Sequence, residues 1–266
     1  MRQPSRIALI GYGAIGRAIV RHLQGAVRPL TAVLLRPGRT RPADLPGEIA
    51  VVSSVPDLLG LKPDLVVECA GHEAVSAYGA PILAGGVDFL IGSVGSLSDE
   101  ARLNTLRAAA ERNGAHLLIP AGAVGGLDLL AAARVAGLDK VVYTSRKLPK
   151  AWMGTPAEKL VALGSLTEAT TFYTGDARAA ARDYPQNANV AAAVALAGVG
   201  FEATEVKMIA DPAAPGNVHR IEAEGAFGRT EITIAGKTLP DNPKTSMLAA
   251  LSLVRAILNR DAAVVV

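Results

Sequence analysis

Between residues 7 and 119, short apolar runs alternate with longer stretches in which apolar side chains recur at helical spacing. The runs 7–10, 30–35, 65–69, 89–91 and 116–119 show no polar alternation, the pattern of strands covered on both faces. Stretches 14–23, 73–84 and 98–112 read as helices, the last with Asp99 and Glu100 in its first turn. Strand and helix repeated in this order predict a doubly wound parallel sheet.

After Pro120 the pattern changes. Segments 140–147, 204–210, 217–224 and 229–235 read as strands, and in 217–224 the faces separate clearly. Asn217, His219, Ile221 and Ala223 point one way, while Val218, Arg220, Glu222 and Glu224 point the other. This predicts a mostly antiparallel sheet with one wetter face, its drier face covered by helices at 124–135, 177–182 and 188–197. Asp241-Asn242-Pro243 reads as a helix cap with proline at the first position. Leu248, Leu251, Val254, Ile257 and Leu258 continue it as an apolar stripe. The expected organisation is α/β: an N-terminal Rossmann domain over 1–120, completed by a C-terminal helix over 242–266, and a second α+β domain over 121–241.

Composition narrows the partners. With 50% apolar and 19% charged residues among 266, the chain can bury a sizeable core. The net charge of +3 comes without an extended basic run, and aromatics make up only 4%. Nucleic acid is therefore a poor fit, and anionic small molecules a better one. Cys69 stands alone, which excludes an internal disulfide or a zinc cluster and points to an intracellular compartment. Glycines interrupt the start of the chain, so it does not read as a signal peptide. The most apolar stretch, 190–201, is too short to cross a bilayer. A cytoplasmic protein with no metal and no membrane partner is expected.

Gly11-Tyr12-Gly13-Ala14-Ile15-Gly16 lies at the first strand–helix junction. Gly11 permits the tight turn, Gly13 lets backbone approach a pyrophosphate, and Gly16 lets the helix pack on the strand; the amides from Ala14 and Ile15 onward open the helix toward the anion. About twenty residues on, where NAD-specific sites carry an acid, stands Arg36 in Leu34-Leu35-Arg36-Pro37-Gly38-Arg39. A guanidinium pairs with a 2′-phosphate where an acid repels it, so NADP is expected to bind at least as well as NAD.

Among four histidines, His22 reads as solvated, His116 as structural, and His72 as a helix-start residue near Ala70 on the cofactor side. His219 differs, being a polar ring on a mostly apolar strand face. It is either a satisfied core histidine or the general acid–base group of the second domain. Asn187 and Asn189 open a helix in Gln186-Asn187-Ala188-Asn189, where Asn187 serves as a cap or as a ligand. Arg146, Lys147 and Lys150 are either surface charge or carriers of substrate carboxylates. Ala123 sits in Pro120-Ala121-Gly122-Ala123-Val124-Gly125-Gly126, a run with free amides at the expected junction of the domains.

With these pieces assembled, the chain resembles the L-aspartate dehydrogenase family nearly end to end. The resemblance rests on Gly11–Gly16, on 68–74 (ECAGHEA), on 119–128 (IPAGAVGGLD), on 184–192 (YPQNANVAA) and on 216–219 (GNVH). It implies reversible oxidative deamination of L-aspartate to oxaloacetate and ammonia through iminoaspartate, with NAD or NADP, and a role in NAD biosynthesis. It places the catalytic histidine at His219 and cofactor contacts at Ala123 and Asn189, and it implies a homodimer formed through the second sheet. Asn187, Asn217 and Lys147 are the candidates for holding substrate. The rival readings are an imine reductase resembling dihydrodipicolinate reductase and a non-catalytic NADP-sensing protein.

Overall fold

The structure, a computed structural model, describes residues 5–24, 30–185 and 187–265. It divides into two compact units, Met1–Pro120 with Ala250–Val266, and Ala121–Ala249.

The first unit is a doubly wound sheet. β1 (Ile7–Ile10) leads into α1 (Ala14–Leu23), and β2 (Leu30–Leu34) into β3 (Ala50–Val52) and α2 (Val55–Gly60). β4 (Leu65–Glu68) leads into α3 (His72–Ala84), β5 (Asp88–Ile91) into α4 (Glu100–Asn113), and β6 (Leu117–Leu118) closes the sheet. All pairs are parallel in the order β3-β2-β1-β4-β5-β6. The order reverses beside β1, and ligands of open α/β sheets bind at the carboxyl ends of strands at such a switch. The central strands are buried along their whole length because helices cover both faces. Asp99 caps α4 by accepting from the Arg102 amide.

The C-terminal segment differs from the expectation. Asp241-Asn242-Pro243 does not start a helix. Asn242–Ser246 is β13, paired antiparallel with β12 (Thr238–Leu239), and the helix α8 runs over Met247–Asn259. Thr238 facing Ser246 in a hairpin satisfies backbone groups that a helix start at 242 would leave open. Leu253, Val254 and Ile257 of α8 are buried in one cluster with Ile7, Leu9, Val67 and Leu90. Arg260 fixes the helix end to Asp88 at 2.6 Å.

The second unit holds a five-stranded sheet. Its strands are β7 (Leu138–Lys147), β8 (Thr170–Asp176), β9 (Thr204–Ala210), β10 (Asn217–Gly225) and β11 (Gly228–Gly236), in the order β11-β10-β7-β9-β8. One pair, β7 with β9, is parallel, and the others are antiparallel. Among the described residues three α-helices lie wholly within this unit: α5 (Leu127–Ala136), α6 (Ala177–Asp183) and α7 (Asn189–Ala197). They lie on the face that carries Tyr143, Val206, Met208 and Ile221. α7 is buried through Val190–Ala195, six small or β-branched residues that let it sit between the sheet and its neighbours. The opposite face shows Arg220 paired with Glu222 and Glu231, and Lys207 with Glu205. Exposed pairs of this kind contribute little to stability. No helix among the described residues is long and apolar enough to cross a membrane.

Candidate functional site

A cavity of about 560 Å³ lies at the carboxyl ends of β1, β2 and β4, lined by Gly11, Gly13, Arg36, Arg39, Ala70 and Tyr78 among others. Gly11 has φ +88°, and a Cβ there would stand 2.8 Å from that of Ala70. Only glycine fits both the conformation and the approach. A Cβ on Gly16 would meet the Gly11 carbonyl at 2.8 Å, so this glycine sets how closely α1 approaches the loop. At Gly13 a Cβ would meet only open space. Gly13 is also the N-cap of α1, with no side-chain cap and no acid in the first turn. The free amides and the helix dipole there suit a phosphate.

Two further features shape this cavity. Glu68, fully buried at the end of β4, accepts from the amides of Ala70 at 2.6 Å, Gly71 at 2.7 Å and Ser93 at 2.9 Å. Its carboxylate thus ties the loop after β4 to the loop after β5 and holds Ala70 against Gly11. On the other side, the segment after β2 is fastened to α1 by Arg17 Nε on Asp44 at 2.7 Å and by Tyr12 Oη on the Asp44 carbonyl at 3.2 Å. Arg36 and Arg39 are both exposed there and make no ion pair among the described residues.

In the second unit, polar side chains gather on the helix-covered face of the sheet. His219, 5% exposed, faces Ser145 across the β7–β10 ladder, and its Nδ1 is 2.7 Å from Tyr143 Oη. Burial first, and then the charge of Lys147, pull its pKa down to about 4, so the imidazole is neutral near pH 7. Lys147, 8% exposed at the end of β7, donates to Asn187 Oδ1 at 2.6 Å and stands 5.0 Å above the ring of Trp152. Burial lowers its pKa to about 8. Trp152 is fixed by its indole N–H on the Ile209 carbonyl at 3.1 Å and by edge contacts with Phe172 and Tyr184. Among the described residues no carboxylate pairs with Lys147. Its recorded neighbours are thus an amide oxygen, an aromatic face and the His219 imidazole, none of which carries a negative charge to balance a buried ammonium.

Comparison with known proteins gives the family of the chain. Residues 128–260 match the family described as aspartate dehydrogenase, C-terminal, and residues 11–120 match the NAD binding domain of homoserine dehydrogenase. The L-aspartate dehydrogenase of Cupriavidus necator is 47% identical over 261 residues, covering 97% of this chain and 98% of its own. That of Ruegeria pomeroyi is 48% identical over 259 residues, covering 97% and 94%. This chain belongs to the L-aspartate dehydrogenase family. The crystal structure of aspartate dehydrogenase from Thermotoga maritima superposes with a TM-score of 0.78 at 27% identity, covering 98% of this chain and 99% of that one. Dihydrodipicolinate reductase from Paenisporosarcina sp. shares the fold at 16% identity and a TM-score of 0.54.

Within this family member, the residues singled out from sequence fall into two groups. Gly11, Gly13, Arg36 and Ala70 line the nucleotide cavity, whereas Ala14, Ile15 and Gly16 lie in α1 and do not line it. His219, Lys147 and Asn187 meet or adjoin in the second unit, with Asn217 half-buried at the start of β10. Ala123 is buried in the second unit, and Asn189 is the first residue of α7. Three sequence readings need correcting. Lys147 is not surface charge, because it is the last inward-facing residue of a central strand. Asn187 does not cap α7, whose N-cap is Ala188; its side chain is taken by Lys147. Arg146, by contrast, is already paired with Asp211. Gln186 lies outside the described residues. His72 opens α3, and His116 bonds Asp88. Sequence reasoning missed Tyr143, Trp152, Arg39 and the clamping role of Glu68. Among the described residues no cluster of three or more His, Cys, Asp or Glu side chains is placed to hold a metal.

Proposed function

We propose that this chain is an NAD(P)-dependent L-aspartate dehydrogenase, converting L-aspartate to oxaloacetate and ammonia through iminoaspartate. The observation that carries the reading is Lys147, a buried cation with no carboxylate partner among the described residues, beside a buried neutral imidazole, in a member of this family. Its substrate must bring the missing carboxylate, and aspartate brings two. The glycine cradle and the bare N-terminus of α1 fit the pyrophosphate of NAD or NADP, which when bound supplies the hydride acceptor.

Lys147 holds one substrate carboxylate, with Asn187 keeping the ammonium aimed. Asn217, two residues from His219 on the same strand face, takes the other. Ala123 and Asn189 serve the cofactor. His219 stands at the substrate carbon that loses hydride and then takes up water. Arg36 favours NADP because its guanidinium pairs with a 2′-phosphate. The protein acts in the cytoplasm as a homodimer joined through the second sheet, whose unit carries substrate binding and catalysis.

The test is the absorbance of reduced nicotinamide with aspartate and NADP, and with oxaloacetate, ammonia and NADPH in reverse. Turnover of a cyclic imine alone would favour a reductase resembling dihydrodipicolinate reductase, and tight NADPH binding without turnover a sensor. Replacing the imidazole in His219→Ala lowers kcat on the order of 10²-fold or more and leaves NADPH affinity near that of the wild type. A variant with undiminished turnover removes His219 from the mechanism.

A further inference from the structure

Tyr143 and His219 lie on neighbouring strands and both turn to the helix-covered face. Tyr143 Oη stands 2.7 Å from His219 Nδ1, and the two ring planes are within 14° of parallel with centroids 6.0 Å apart. Two protonation patterns satisfy such a contact. Either the phenol donates to a bare Nδ1, or an Nδ1–H donates to the phenol oxygen.

The surroundings choose between them. Tyr143 is fully buried, and burial pushes its phenol well above the ordinary range, so it keeps its proton. A buried donor needs an acceptor. Among the described residues the bonded neighbour of Tyr143 Oη is Nδ1. Ser145, two residues along the same strand face, stands near enough to offset part of the rise in the phenol's pKa. Its hydroxyl nevertheless makes no hydrogen bond of normal geometry and does not take the phenol proton. His219 is itself kept neutral by burial and by Lys147, and a neutral imidazole carries a single N–H.

We infer that Tyr143 is a positioning residue that locks His219 in the Nε2–H tautomer, so that the imidazole meets substrate as a hydrogen-bond donor and not as a base. This rests on the assignment of His219 to the substrate and sharpens it. Nε2 already bears hydrogen and cannot strip a proton from the substrate ammonium. It suits an oxygen instead: the C2 carbonyl of oxaloacetate, on which negative charge builds as ammonia adds. A preorganised donor aimed at developing charge stabilises the transition state without rearrangement. The phenol supplies that preorganisation, because with Nδ1 occupied as an acceptor the ring has one remaining place for its hydrogen.

The tautomer is read directly from ¹⁵N shifts of histidine-labelled protein without substrate, with the His219 signals identified by their absence in His219→Gln. The expected spectrum has a pyridine-type Nδ1 and a pyrrole-type Nε2. In Tyr143→Phe the tautomers mix and kcat falls on the order of tenfold or more, while KM for aspartate and NADPH affinity hold. A packing role alone moves stability but not the ring-nitrogen shifts. Ser145→Ala keeps the wild-type tautomer. A protonated Nδ1 in the wild type overturns the inference. So does a Tyr143→Phe protein in which either the shifts or kcat change without the other. If that variant fails to fold, the wild-type spectrum decides alone. Because the spectrum needs no turnover, an Nε2–H signal in a protein inactive on aspartate leaves the lock standing and removes only the proposed function.

Discussion

Lys147 shows how a charged group is held against the preference of the fold. Its ordinary pKa is 10.5, and burial brings it to about 8. Below about pH 8 the folded protein therefore contains an ammonium that water would solvate better. Between about pH 8 and 10.5 the unfolded chain binds the extra proton, so stability rises with pH across that window. The shift corresponds to a net cost on the order of 3 kcal/mol near neutral pH, and its cause is burial. Lys147→Met removes both the cost and the Asn187 bond. The variant is expected to be more stable than the wild type at about pH 7, with the gap closing toward pH 10.5, and to lose aspartate turnover. Urea unfolding at the two pH values measures the first, and a variant less stable at neutral pH would contradict it. Neither this burial nor the Tyr143 contact is legible in the sequence. A lysine at a strand end reads as solvated, and a tyrosine inside an apolar run reads as core. His219 was legible, because an imidazole alternating with Ile221 and Ala223 breaks the chemistry of its face.

Strands and helices were legible wherever their burial was uniform. β1, β2, β4 and β5 are mostly buried and carry predominantly apolar runs, with polar residues at Thr31, Glu68 and Asp88. The elements missed include the short helix α2, the β12–β13 hairpin and two edge strands. β3 is three half-buried residues, and β8, with Thr170, Thr171, Thr174 and Asp176, sits at the edge of its sheet with no clean alternation. Asn242-Pro243 carried the local signature of a helix start, but pairing with Thr238–Leu239 overrode it. The segment after β2 has little periodic signal, because it is fixed by side-chain bonds from Arg41 to the Ile49 and Leu45 carbonyls and from Arg17 to Asp44. It also carries Arg36 and Arg39 to the cavity rim. Two guanidiniums that make no ion pair among the described residues predict that Arg36→Ala and Arg39→Ala each weaken NADPH on the order of tenfold, the worth of one charge-assisted phosphate contact. NADH affinity should barely change. Fluorescence titration of both reduced cofactors decides it, and an unchanged NADPH preference in both variants would rule out this role.

The nucleotide unit is assembled from two distant parts of the chain, with Ala250–Val266 joining Met1–Pro120. Leu253 of α8 is 1% exposed, in the same core cluster as Ile7 and Val67. Leu253→Ala therefore leaves a cavity under the sheet and should destabilise this unit by about 2–5 kcal/mol. Ligand binding to the native form opposes the loss: NADPH at a hundredfold excess over its Kd restores about 2.7 kcal/mol. Thermal unfolding with and without NADPH tests both figures, and a variant as stable as the wild type would remove α8 from the core. The same discontinuity governs the order in which a newly made chain can become ordered. Residues 121–249 leave the ribosome before 250–266, and they contain a sheet and three helices of their own. The nucleotide unit, begun first, must wait for the second to be synthesised before its apolar sheet face is sealed. During that interval the exposed face is the surface a chaperone would grip.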